Sequence, residues 1–474
     1  MPRRTSRVLS HTVAVLCLAL PAGLAQAQRE GEGGRRIYNE QLRVQLDQQQ
    51  ASAREMGLDA GGWFTFAFMH YDDAPGERQR TLRQYDLRLW ALYTHQGVHT
   101  FYVRGRTSYD DWNHGDNPDE PGGSGDEFND PKLERGWYRY DYNRQVRNQT
   151  GVNPPVGFVV EVGRNYYEIG QGFTLALPLD AVQTTVTAGN FQWLGLIGKT
   201  VTHTSNIDAS EAVQDHMDRN FYGTQASYRF SHHEPYVYYL WQEDRTRPWG
   251  GDQTQEYSYD SRYLGGGSKG SLLLQNLRYG AELVFETGKS APEGSAHELE
   301  RIHAMGLDML LEYLFDVAKH PKLMVEYMFG SGDPDRRLSS SSTIGGNLIG
   351  TKDTAFNAFG YRDTGLAFAP RISNIDIWVL GASFLPLEHM ELFRRMEVGT
   401  KVFFYNKDIA RGPISDTPAS KHSRWLGWEW DVYVNWRITS DLAWTIRYGA
   451  FQEGAAYEGE GTREFVYTGL TYSF

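Results

Sequence analysis

The sequence predicts an all-β fold: a closed transmembrane antiparallel β-barrel of eighteen strands with long extracellular loops. Three observations carry this. The chain ends on an alternating segment, Arg463 to Phe474. Val466, Thr468, Leu470, Tyr472 and Phe474 share one face, and Phe465, Tyr467, Gly469, Thr471 and Ser473 the other, as in a strand with apolar and polar sides. The mean hydropathy is −0.55, yet 14% of residues are aromatic, with 29 Tyr, 13 Trp and 50 Gly. A barrel spans lipid with so hydrophilic an average, because only alternate residues face the acyl chains. Finally, no segment of the mature chain approaches the apolar run of a membrane helix.

The terminal pattern, Thr468-Gly469 followed by Tyr472 and Phe474, resembles the signal by which bacterial outer-membrane barrels are recognised for insertion. The other end agrees with it. Arg3, Arg4 and Arg7 form a basic start, Thr12–Leu20 a short apolar core, and Ala25-Gln26-Ala27 an A-x-A cleavage site. That core is too short to span a bilayer. Its Cys17, the only cysteine, follows Leu16 rather than the small residue a lipoprotein signal requires. Residues 1–27 therefore read as a removed signal peptide, and the mature chain has no thiol or disulfide chemistry. The expected destination is the cell outer membrane.

Charge argues against one class of partner. The formal net charge is −12, and losing the three arginines of residues 1–27 takes it to −15. A nucleic-acid partner is not expected on that balance. No fixed-period repeat supports a solenoid.

Along the mature chain, residues 28–57 are polar and Gln-rich, with a weak helical pattern around Leu42 and Leu46. They read as a periplasmic N-terminal extension, and 58–474 as the barrel. Alternating strands begin with Gly61–Tyr71, Thr81–Thr94 and Val98–Tyr109, then Leu133–Asn143, Phe158–Tyr167, Ala181–Ala188 and Phe191–Val201. Asp218–Phe230 and Tyr236–Thr246 pair around a turn at Ser231–Pro235. Asn276–Glu286, Ile302–Phe315, Lys322–Gly330, Ile372–Leu385, Leu392–Asn406, Arg424–Arg437, Asp441–Gln452 and Thr462–Phe474 complete the clear set. Barrel strands alternate up and down, with short periplasmic turns and long outer loops. The clear strands alone put the long Gly332–Arg371 loop on the wrong side. One further strand within the Gly-rich Gln255–Gly267 repairs the parity and gives eighteen. Asp110–Lys132, Thr202–Met217, Arg247–Thr254, Gly332–Arg371 and Lys407–Ser423 then all lie outside, and both termini are periplasmic. A barrel of this size is wide enough to enclose an aqueous channel.

The same period selects the lumen lining. In Arg424–Arg437, Leu426, Trp428, Trp430, Val432, Val434 and Trp436 face lipid, so Glu429, Asp431, Asn435 and Arg437 face inward. Arg88, Arg104, Arg106, Arg135, Arg139, Arg278, Arg395, Lys401 and Arg447 point inward by the same rule. So do Asp86, Asp141, Glu161, Glu282, Asp308, Glu312, Glu326, Asp376 and Glu397. Such mixed charges commonly brace a wall; a basic constriction among Arg88, Arg104, Arg106 and Arg139 is the alternative.

Nine acids and one base lie between Asp110 and Glu134. Asp110, Asp111, Asp116, Asp119 and Glu120 are of the type that ligates Ca²⁺ through oxygen, but they lack the EF-hand spacing. A solvated acidic loop is the plainer reading, one that shares divalent cations with lipopolysaccharide. Catalytic motifs fail. Gly198-Lys199-Thr200 and Gly288-Lys289-Ser290 end like P-loops, but the required first glycines fall on Trp193 and Leu283. No G-x-S-x-G elbow occurs, and His232-His233 lacks a second ligand cluster. Neither an enzyme nor a cofactor is expected.

Two stretches carry a resemblance. Val162-Gly163-Arg164-Asn165 resembles the "GRQ" strand of the alginate-export porin family. Tyr327–Asp333, Ala355-Phe356, Thr364-Gly365-Leu366 and Pro370–Ile375 are similar to that family's "GSG … F-x-x-TGL … P-E-L-S-N-L" run. The resemblance implies a monomeric eighteen-stranded channel that passes an anionic polysaccharide, a uronate polymer, through an arginine-rich lumen with periplasmic export partners. It also implies that Arg164 joins the lumen, which requires a bulge at Gly163. Two features depart from the family: the Arg437–Asp441 turn is tight where the family's exporter has a long periplasmic loop, and the lumen reads as balanced in sign rather than strongly basic. A porin taking up small or oligomeric solutes is the alternative, and a loop-displaying interaction protein ranks third.

Overall fold

The computed structural model describes residues 57–72, 79–117, 123, 125–201, 218–246, 259–272, 274, 276–292, 299–337, 339–341, 343, 346–459 and 461–474. The signal peptide, nearly all of the N-terminal extension, and the loop segments 202–217 and 247–258 lie outside these. Eighteen strands follow in order: β1 Gly57–Asp72, β2 Arg80–His95, β3 His99–Trp112, β4 Glu127–Asp141, β5 Val156–Ile169, β6 Leu175–Ala188, β7 Phe191–Thr200, β8 Arg219–Tyr228 and β9 His233–Asp244. The second half is β10 Tyr259–Ser271, β11 Leu277–Ser290, β12 Glu300–Leu314, β13 Lys322–Gly330, β14 Ile375–Phe384, β15 Met396–Asn406, β16 Trp425–Arg437, β17 Leu442–Glu453 and β18 Thr462–Ser473. Each strand pairs antiparallel with the next, and β1 pairs with β18 from Trp63–Ser473 to Asp72–Glu464. The sheet closes on itself and keeps no free edge.

Period two holds around the wall. In β18, Phe465 and Tyr467 are buried inside, while Leu470, Tyr472 and the terminal Phe474 are exposed outside. The strand inferred from parity alone is β10. Its glycines hid it: Gly265 lies opposite Tyr238, and a Cβ there would meet the ring at 2.1 Å.

Three expectations are corrected. The fourth strand stops at Asp141 rather than Asn143, because the Asp141 side chain accepts from Arg144 N and caps a helix, α1 (Tyr142–Thr150). Leu426 is buried inside, not lipid-facing. Gly427 has φ 135°, and the β15–β16 register skips Leu426 between Tyr405–Gly427 and Asn406–Trp425. Asp376 falls on the outer side of β14, between the buried Ile375 and Ile377.

The connections sort into two rims. The terminal rim holds the start of β1, the end of β18, α1 and the short turns; the opposite rim holds the long loops. The β13–β14 connection does not stay at its rim. It folds back between the walls as a lumen strap, and Ser340 within it is 1% exposed.

Candidate functional site

The strap bridges the lumen. Phe356 and Phe359 pack with Tyr167, Ile169, Leu240, Tyr263 and Val284 on one side. Leu366 and Phe368 pack with Trp63, Met69, Phe403, Phe451 and Phe465 on the other. Polar contacts fix it between these clusters. Asn357 N donates to Glu286 at 2.9 Å, Arg362 pairs with Asp308 at 2.6 Å, and Lys401 pairs with the strap's Asp363 at 2.6 Å. Burial opposes charge at Asp363, but the adjacent Lys401 ammonium holds its carboxyl below the usual range. Glu429, wholly buried, accepts the backbone N–H groups of Leu366, Ala367 and Phe368 at 2.5, 2.6 and 2.9 Å.

The inner face of β2–β5 is charged rather than apolar. Arg88 stands opposite Arg106, and Arg104 opposite Arg135. Asp86 lies between Arg88 (2.8 Å) and Arg106 (2.5 Å). Glu134 lies between Arg88 (3.2 Å) and Arg104 (2.6 Å). Arg139 pairs with Glu161 at 2.7 Å, and Arg135 donates to Asn165 at 3.3 Å. Five guanidinium groups here meet three carboxylates, and Asp110 and Asp141, which also face inward from these strands, bring the acids to five. Arg104 is 3% exposed, stands over the Trp63 ring, and keeps Nη1 without a hydrogen-bond partner. Arg139 and Glu161 line a cavity of about 260 Å³ together with Asp141 and Gln183.

A second basic group sits at the terminal rim. A cavity of about 700 Å³ there is lined by Lys322, Arg394, Arg395, Arg437 and Arg447, with Glu397 and Asp441 as its acids. Arg447 leans over the Tyr433 ring, and Arg437 donates to Ser440 O. Arg395 belongs to the turn before β15, and Arg278 is exposed at its end of β11. Lys401 is held by the strap and joins neither group.

Several expected site residues fall elsewhere. Arg164 is on the outer face, paired with Asp180 at 2.8 Å. The β4–β5 and β5–β6 registers run unbroken through Gly163, so no bulge turns it inward. Gly163 answers a different need: at φ 134° it lets the strands approach so closely that a Cβ would lie 2.2 Å from Gly136 O. The Ca²⁺ candidates diverge. Asp110 points inward to Gln84, Asp111 pairs outward with Arg83, and Asp116 accepts from Thr81 N. Asp119 and Glu120 lie outside the described residues.

Glu134, Arg362 and Arg394 were missed. Register shifts in β3–β4 near Gly105 turn Glu134 inward against strict alternation. Pro131 in that strand was the available signal, since proline inside a sheet marks bulges. Arg362 belongs to the strap, where no periodicity indicates direction.

The family model for alginate export matches residues 179–470. The chain belongs to the alginate-export family. Solved structures of similar fold include two proteins of Pseudomonas aeruginosa. OccK11 (OpdR) has a TM-score of 0.51 at 12% identity, covering 88% of this chain and 96% of that one. OccK5 (OpdH) has 0.51 at 11%, covering 89% and 99%. At such identities the likeness concerns the fold. No curated protein matches the chain. Family and barrel together make this alginate-export protein an outer-membrane channel.

Proposed function

We infer that this channel passes an anionic polysaccharide, alginate-like, outward and without an energy source, acting as a monomer. The clustering of Arg88, Arg104, Arg106, Arg135 and Arg139 on one inner face carries the reading. In a narrow lumen, low-dielectric walls focus the field of fixed cations and raise the local anion concentration. A polymer moves only if each contact is weak enough to release. Arginines already shared with Asp86 and Glu134 meet that need, because their charge is partly answered by the wall. The basic vestibule of Arg394, Arg395, Arg437 and Arg447 gives the polymer a first contact at the terminal rim. Arg278 stands at the same rim; Arg164 and Lys401 have no part in this path.

Reversal potentials in asymmetric salt test the reading. The wild type is expected to prefer anions, and Arg106→Glu/Arg139→Glu to move toward cations. A cation-selective wild type, or an unmoved potential in the variant, would defeat it.

The strap favours a second reading, uptake of small or oligomeric solutes, because its apolar clusters occupy space that a polymer needs. Liposome flux of oligouronates of increasing length separates the two. A cutoff at the shortest oligomers supports the porin.

Orientation follows from loop length, since outer-membrane barrels keep short turns in the periplasm. A cysteine at Ile349, exposed on the long-loop rim, is expected to react with an impermeant maleimide on intact cells, and one at Ser231 is not. The opposite pattern would invert the barrel.

A further inference from the structure

The outer wall of β10–β12 changes character within one row. Leu264, Phe285 and Met305 are cross-strand neighbours and are 54%, 49% and 37% exposed. Toward the long-loop rim, the next outward row is Arg262, Thr287 and His303, and above it come Asp260, Lys289 and Arg301. Trp241 of β9 stands opposite Arg262, and Tyr222 of β8 opposite Trp241. Aromatic rings thus flank the first charged row, as they do where hydrocarbon meets headgroups.

The strap adds another cation at this level. Asp353 pairs along the upper edge of β12, donating from N to Arg301 O and accepting at O from His303 N. Its carboxylate turns inward to Arg336 and Ser290, which leaves Lys352 exposed beside Arg301. Arg262, Lys289, Arg301 and Lys352 are all exposed, and none has an ion pair among the described residues. One carboxylate, Asp260, shares their rows, and it accepts from Asp244 N. Other outward cations near this rim are held in ion pairs: Arg83 with Asp111, Arg164 with Asp180, Lys199 with Asp218. Four exposed cations with one carboxylate among the described residues of their rows offer a site to an anionic partner from outside the chain, whose own net charge is −12.

We propose that this patch binds the phosphorylated headgroup of an outer-leaflet glycolipid. The acyl chains lie along Leu264, Phe285 and Met305, and the phosphates meet Arg262, Lys289, Arg301 and Lys352. Neighbouring strands are about 4.8 Å apart, so the β10 to β12 cations span about 10 Å, room for two phosphate groups. Arginine supplies forked donors to each, and lysine a point charge. The assignment to the outer leaflet rests on the orientation proposed above. The contact itself is read in detergent, so its failure and a failed orientation remain distinguishable.

Native mass spectrometry of the folded barrel with diphosphorylated lipid A, and with the same lipid dephosphorylated, tests the proposal. Arg262→Ser/Lys289→Ser/Arg301→Ser is compared with Arg83→Ser/Arg164→Ser/Lys199→Ser, which removes equal charge at the three ion pairs named above. Wild type and control are expected to retain the diphosphorylated lipid. The patch variant should bind it about tenfold or more weakly, the scale of lost charge-assisted hydrogen bonds. Raising salt should release it from the wild type, a readout that needs no variant. Equal retention by the patch variant, equal loss in the control, or indifference to phosphate or salt would overturn the site.

Discussion

Replacing strap residues 336–371 with a short Gly-Ser link is expected to raise single-channel conductance several-fold. Phe356 and Phe368 are fully buried, and Phe359 and Leu366 nearly so, each inserted against a wall that would otherwise face water. Removing them opens the lumen's cross-section. It also removes about 1.5–3 kcal/mol of burial for each large apolar side chain, and strips cover from Trp63, Met69, Phe403 and Phe451. The shortened barrel should therefore unfold at lower urea while conducting more. An unchanged conductance would mean that the strap is not the main obstruction, and would move attention to the arginine face.

Glu429→Ala should free the strap without shortening it. One carboxylate accepts three backbone donors from Leu366, Ala367 and Phe368, and Tyr405 OH adds a fourth at 3.2 Å. Each buried donor left without a partner costs about 1–3 kcal/mol, so a loss of about 3 kcal/mol or more is expected, reduced where water replaces the carboxylate. The expected record is a noisy, larger conductance together with protease sensitivity near Leu366. A quiet, wild-type trace would show that the apolar contacts hold the strap unaided.

The wall was legible in the sequence and the strap was not, for a physical reason. A strand's direction follows from its neighbours two residues away, so Phe465 and Leu470 declare their sides. A loop has no such rule. Parity placed the rim from which residues 331–374 leave, and nothing in parity says whether they return. The one available hint was Phe356, Phe359, Leu366 and Phe368, large apolar residues that an exposed loop would leave in water. Alternation put Arg88, Arg104 and Arg106 on the inner face, where their ion pairs with Asp86 and Glu134 lie. Errors gathered where the register slips, at Glu134 and Leu426. Arg164 failed differently: Gly163 does have the unusual backbone that the resemblance required, but spends it on close strand approach instead of a bulge.

The closing pair has a consequence for the order of assembly. Thr65 bonds Thr471 across 406 positions of sequence, so the ring shuts only when the last strand exists. The strap's second half docks on β1 and on β14–β18, and Phe368 reaches Phe451 of the penultimate strand at 4.2 Å between centroids. Its seat is therefore unfinished until closure, and until then Leu366 and Phe368 have nowhere to pack. A ring that forms slowly because its contacts are distant is then followed by a plug that cannot precede it. The expected order is wall first and the second half of the strap afterwards, so a barrel caught just after closure is expected to conduct more than the finished one.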